Sequence, residues 1–280
     1  MTAIVKDQFR VNNAAGFVDQ FDTIPTVTDH LYATIGKSTA WADDLNPPVP
    51  TNSASEATQA WADMIGAHKV LPSDVCLVIP RIDWAASTEY FVDDATLLTP
   101  WEKETYALTS SFRVYKVATK DLSGTTYANP PLSVNEPTGT GTGITTSDGY
   151  TWDFLYDLAA YDYTALLNNL WLPVNYGDKI SSLQTSSGDV NAHQTLDAKY
   201  SMIRAELLST DFPTGIEYRQ IAIVANPLLA DGTTPATGTN YTSPATELTT
   251  ESGLTYYIEN RSPIVRTIGQ NEELNMIIEF

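Results

Sequence analysis

From Tyr150 to Leu158 every second residue is large and apolar. Tyr150, Trp152, Phe154, Tyr156 and Leu158 share one face, with Thr151, Asp153 and Asp157 on the other. Side chains alternate across a strand with a period of two, whereas a helix groups them every three to four residues. This stretch therefore predicts a strand with one face against a core. The same argument predicts strands over Phe112–Val117 and Val75–Ile79, and around Ile203, Ala205 and Leu207. Around Ile221, Ile223 and Ala225 the intervening Ala222 and Val224 are also apolar, so this strand is expected to be buried on both faces. At the C-terminus Leu274, Met276, Ile278 and Phe280 alternate with Asn275, Ile277 and Glu279. That pattern predicts a terminal strand pinned in a sheet. Before it, Tyr256–Gln270 reads as two short strands joined by a turn at Asn260-Arg261-Ser262-Pro263.

Helical signals are fewer. Ser53-Ala54-Ser55-Glu56 has the capping-box spacing, in which the Ser hydroxyl and the Glu carboxylate satisfy free N–H groups at a helix start. Ala57, Ala60, Trp61, Met64 and Ile65 then follow at helical spacing, and Gly66 is positioned to end the helix. Tyr163, Leu166, Leu167 and Leu170 suggest a second, shorter helix. Two helices among many strands do not give the strand–helix alternation of a parallel α/β fold. The expected fold is mainly β: a multilayer antiparallel β-sandwich with a few helices carried on loops. Residues 1–280 are expected to form a single structural domain, with long loop insertions at about 122–148 and 228–253.

Charge and composition narrow the function classes. The chain carries 15 Lys and Arg against 34 Asp and Glu, a formal net charge of −19. Such a surface repels phosphate backbones, so nucleic-acid binding is not expected. The single cysteine, Cys76, lies in the apolar run Val75–Ile79 and reads as a buried, inert thiol. No apolar run approaches the ~20 residues a membrane helix needs. The start has no basic segment followed by an apolar run, so a cytoplasmic site of synthesis is expected.

The chemistry-bearing motifs are weak. Gly36-Lys37-Ser38 lacks the upstream glycine of a phosphate-binding loop, because Leu31 stands at that position. Gly139, Gly141 and Gly143 alternate with Thr and lead into no helix, as a flexible hairpin tip or loop would. His30, His68 and His193 are far apart in sequence. Asp43-Asp44 and Asp93-Asp94 read as solvated surface charge, since adjacent side chains on an extended chain point apart. No catalytic, cofactor-binding or metal-ligating residue is predicted. Of the six tryptophans, Trp61 and Trp152 belong to patterned faces and are assigned to the core. Trp84 and Trp101 are candidates for either core or interface.

Several segments together carry a resemblance. They are Trp61–Gly66 leading into Lys69-Val70-Leu71-Pro72, Val78–Trp84, Val114–Val117, Asp148–Tyr156, Tyr218–Ile223 with Asn226-Pro227-Leu228, and Ile258–Ile264 through Gln270–Asn275 to Phe280. In this order and spacing the chain resembles the dimeric baseplate wedge subunits of contractile-tailed bacteriophages of the T-even type, the wedge protein family numbered eight. It is shorter than those members between Lys120 and Asp148 and between Leu158 and Thr195. The resemblance implies a multilayer β-sandwich that forms a homodimer and joins other baseplate wedge subunits. It implies a place in the virion tail baseplate, assembled in the host cytoplasm, where a shape change on host attachment triggers sheath contraction. It implies no catalysis or cofactor; the absence of a nucleic-acid or membrane partner is expected from the charge and the short apolar runs alone. A carbohydrate-binding or carbohydrate-cleaving tail protein is the alternative, because sandwich folds with exposed Trp and paired acids handle sugars.

Overall fold

The computed structural model describes residues 7–22, 31–51, 53–71, 74–92, 105–120, 132–158, 170–174, 196, 198–210, 215–233, 240–242 and 244–280. The chain is mainly β, and each strand register resolved below is antiparallel. It divides into two compact units. One comprises residues 1–15, 77–200 and 280; the other comprises 16–76 and 201–279.

In the first unit, β4 (Tyr106–Leu108), β5 (Arg113–Lys120), β6 (Ile144–Thr145) and β7 (Tyr150–Asp157) form a sheet in the order β4-β5-β7-β6. The alternation at 150–158 settles as expected, with Tyr150, Trp152, Phe154, Tyr156 and Leu158 all buried. Tyr90, Ala107, Tyr115 and Val117 complete the core around Tyr150, Trp152 and Phe154. The rings meet edge-on or offset: Trp152 is 5.2 Å from Tyr90 at 68° and 5.6 Å from Tyr150 at 26°. Such contacts add to the gain from area burial. β3 (Val75–Pro80) pairs with β8 (Trp171–Pro173) through Val78, Ile79 and Pro80.

In the second unit, β1 (Leu31–Gly36), β2 (Met64–Lys69), β10 (Ile216–Ala225) and β11 (Leu254–Arg266) form a sheet in the order β11-β10-β1-β2. Tyr218 through Ala225 are all buried, so β10 is covered on both faces as its doubled apolar pattern predicts. The core over this sheet gathers Tyr32, Trp61, Met64, Ala67, Val224, Tyr241 and Leu248. β9 (Tyr200–Leu207) and β12 (Glu272–Glu279) are neighbours, joined by the exposed Arg204–Glu273 pair at 2.6 Å. Leu274 and Met276 are buried, as the terminal alternation predicts.

Four expectations need correction. First, no turn interrupts the chain at 260–263. β11 runs unbroken through it, with Tyr218 opposite Ile264 and Gln220 opposite Asn260. Arg261, Ser262 and Pro263 thus stand against the single residue Arg219. A bulge absorbs the proline, which has no N–H to give a regular ladder. The turn comes later, where Gly269 takes φ 86° and Gln270 N–H reaches Thr267 O.

Second, α2 (Ala54–Ala62) ends before Gly66, and Met64 and Ile65 already belong to β2. The apolar stripe fits either element, and pairing with β1 decides for the strand. Gly36 is needed at this crossing, since a Cβ there would lie 2.9 Å from Asp63 O. Third, the helix cap is only half the predicted box. Ser53 Oγ accepts from Glu56 N–H, but the Glu56 carboxylate accepts instead from Thr51 N–H and Oγ1. Fourth, a helix absent from the sequence reading, α1 (Asp7–Asp22), buries Val11, Ala14, Ala15 and Val18.

The short helix α3 (Pro244–Glu247) and the bridge Leu229–Leu248 lie inside the long 228–253 insertion, and the bridge Ala67–Tyr241 ties it to β2. The helix expected around Tyr163–Leu167 lies outside the described residues. Leu170 is in a bend and exposed.

Candidate functional site

The described residues hold no group of three or more His, Cys, Asp and Glu placed to bind a metal ion. The most organised irregular features are two loops, each fixed by a charged side chain.

The first is residues 37–50, between β1 and α2. Lys37 leaves β1 in the left-handed conformation, φ 62°, held by a hydrogen bond from its N–H to Asp63 O (3.0 Å). Its ammonium group lies 3.6 Å from the Asp63 carboxylate and 5.1 Å from the Trp41 ring. Arg219, on β10 and buried, grips the loop with a forked guanidinium. Nε donates to Asp44 Oδ1 (2.9 Å), Nη2 to Asp44 Oδ2 (3.1 Å) and Nη1 to Ser38 O (2.8 Å). This two-pronged geometry suits Arg and not Lys. The Arg219 hydrogen bond, with help from Trp41 N–H, holds the Asp44 carboxyl below its usual range.

Asp43 folds the loop tip, accepting from Leu45 N–H (3.0 Å) and Asn46 Nδ2 (2.8 Å). Trp41 Nε1 donates to Arg261 O (3.0 Å), and Asn260 Nδ2 donates to Pro48 O (2.9 Å). The loop is thereby laced to the bulge of β11. At its outer side Leu45 and Val49 are each 84% exposed.

The second loop, 132–148, is organised by Asp148. Its carboxylate accepts from Val134 N–H (2.7 Å), Asn135 N–H (2.9 Å), Thr146 Oγ1 and Ser133 Oγ (3.3 Å). Burial alone would raise its pKa, but the Thr146, Asn135, Val134 and Tyr150 donors outweigh that and lower it. A depressed carboxyl stabilises the fold above its unfolded pKa, about 3.9, and the contribution is lost as pH falls through the lower folded value. We expect Asp148→Ala to cost about 2 kcal/mol of local stability at pH 7. Amide exchange across 132–148 reads this, and the gap from wild type should shrink as the solution is acidified below the carboxylate range. Equal protection in both proteins at pH 7 would show that Asp148 does not organise the loop.

The residues weighed for chemistry are placed as follows. Gly36-Lys37-Ser38 is the exit from β1. The Gly139–Gly143 segment is tied down: Tyr115 OH donates to Gly139 O (2.6 Å), Phe154 N–H to Gly141 O (3.0 Å) and Gly143 N–H to Asp153 Oδ1 (2.7 Å). His68 lies in β2; His30, His193, Trp101 and Asp93-Asp94 lie outside the described residues. Cys76 is buried, and burial pushes its thiol up to about 12, which keeps it protonated at neutral pH. Asp44 is not the solvated surface charge expected from its doublet, because it partners Arg219. Trp61 and Trp152 are core residues as expected. Trp84 is half-buried against the first unit's core, its indole donating to Ser133 Oγ (3.2 Å). The Arg219–Asp44 contact was beyond sequence reasoning, since 175 positions separate the two residues.

Comparison with known proteins decides the family. The profile of Phage-Gp8, described as Bacteriophage T4, Gp8, matches residues 3–97 and 114–280. The chain belongs to the Phage-Gp8 family. It is 25% identical over 327 aligned positions to "Baseplate wedge protein gp8" of Enterobacteria phage T4. That alignment takes in 99% of this chain and 97% of the relative. With 327 positions against 280 residues, the T4 relative carries segments this Phage-Gp8 member lacks. The match lends nothing to a carbohydrate-handling role.

Proposed function

We propose that this chain is a structural subunit of a contractile-tail phage baseplate wedge, located in the virion tail baseplate. The near-complete match to a baseplate wedge family is the observation that supports it most. The subunit joins other wedge proteins, and the assembled baseplate triggers sheath contraction on host attachment. It works without catalysis. Recognition rests on shape and apolar anchors, with charged groups at the rim. Loops pinned by Arg219 and Asp148 suit that task, because a contact surface ordered in advance loses less entropy on binding. The working form is a homodimer, and residues 1–280 act as one domain. The division between the two units falls within α1, β3 and β9, so three continuous elements contribute to both.

The test is reconstitution. The purified chain is mixed with each of the other wedge proteins of its own phage and followed by size-exclusion chromatography with light scattering. The expected results are a complex with at least one wedge protein and, for the chain alone, a mass twice its 30.6 kDa. Absence of any complex at low salt would overturn the assembly role. A monomer at micromolar concentration would overturn the dimer.

A further inference from the structure

We propose that the 37–50 loop is a docking knob whose Leu45 and Val49 side chains insert into an apolar depression, rimmed by Lys or Arg, on a different wedge protein. The inference rests on the assembly role above and names the surface and the chemistry of its partner.

Isolated exposed apolar residues are ordinary on a protein surface. Here the setting differs. Leu45 and Val49 flank Asn46-Pro47-Pro48 on an irregular segment that is nevertheless fixed at many points. Buried Arg219 holds Asp44 and Ser38 O, the Trp41 indole holds Arg261 O, and Asn260 holds Pro48 O. Asn260 is itself positioned by Gln220 Nε2 (2.8 Å). The Asp44 carboxylate, the Trp41 indole and the Ser38 and Pro48 carbonyls meet these anchors, while the loop's two largest aliphatic side chains are exposed. A segment held by this many bonds has already lost its freedom before a partner arrives. Burying the two aliphatic groups then returns nearly the full hydrophobic gain.

Charge selects the occupant. Three bases lie at the loop's base, and each is matched: Lys37 by Asp63, Arg219 by Asp44 and Glu217, Arg261 by Glu259. Asp43 and Glu56 spend their hydrogen bonds on neutral groups of the loop and helix start, which leaves the surroundings of the knob negative. A second copy of a chain with net charge −19 would bring like charge to this rim. A partner with basic residues around an apolar recess fits, and would also be steered toward the knob at low ionic strength.

The experiment uses the full chain with Leu45 and Val49 both changed to Asp. Individually purified wedge proteins of the same phage are immobilised, and binding is read by interferometry at physiological salt. The double variant should bind its partner at least about 30-fold more weakly, mainly through faster dissociation, as for loss of an interface hot spot. Its melting temperature should match wild type, since neither side chain is in the core. Asp43→Asn, which keeps an acceptor for the Leu45 N–H, should slow association and flatten the salt dependence. Ile268→Asp removes a side chain 75% exposed elsewhere and should leave binding unchanged. If wild type binds and the double variant binds equally, the knob is overturned while the assembly role stands. An equal loss in Ile268→Asp also overturns it. Loss of the dimer mass in the double variant would assign the surface to a copy of the same chain and overturn a heterologous partner. If wild type binds no wedge protein, both readings fall.

Discussion

Replacing Trp152 by Ala is expected to destabilise the protein by about 3–5 kcal/mol, the cost of removing a large aromatic from a packed core. Trp152 is wholly buried, stacks on Tyr150 and meets Tyr90 edge-on, so the cavity would open at the centre of the first unit's core. The indole N–H has no hydrogen-bond partner among the described residues. Phe should therefore recover much of the loss, since it restores ring packing and removes an unsatisfied donor. Urea unfolding of the three proteins checks this. A loss below about 1 kcal/mol for the Ala variant would mean the site collapses around the gap.

The second large effect comes from adding one carbon. A Cβ on Gly253 would lie 2.5 Å from Ala225 O, 2.9 Å from Val224 Cγ1 and 3.0 Å from Pro227 N. Two of these are backbone atoms at the end of β10, where Ala225 pairs with Leu254, so neither can swing aside. Gly253→Ala would ordinarily stabilise by restricting the unfolded chain, about 0.4–1 kcal/mol. Here the clash should dominate and leave a net loss of about 1–3 kcal/mol. A melting temperature equal to or above wild type would refute that sign. Trp152 and Gly253 belong to different units, so the pair also probes cooperativity. If residues 1–280 act as one domain, each variant lowers a single shared transition. Two separated transitions, each moved by one substitution, would divide the chain in two.

What the sequence revealed followed the length scale of the interactions. Alternation over 150–158 and the doubled apolar pattern of β10 are local, and both strands appear as read. α1 was legible in principle, since Val11, Ala14, Ala15 and Val18 have the i, i+3, i+4, i+7 spacing of a buried helical face. Two of the four are alanines, and Asn12, Asn13 and Gly16 dilute the signal. The Asn260–Pro263 segment has turn composition, yet the ladder with β10 carries the chain through it. Composition there reports a bulge, and only the partner strand distinguishes the two. The 37–50 loop was the least legible, because its form depends on Arg219, Asn260 and Arg261, all distant in sequence.

The bulge at Arg261–Pro263 also bears on how the border of its sheet meets other chains. β11 is long and ends its sheet, and such an edge invites another copy to add on and grow into fibrils. Pro263 offers no N–H, the bulged backbone is out of step with an incoming strand, and the Arg261 carbonyl already accepts the Trp41 indole. These features disfavour the addition of another strand along this border.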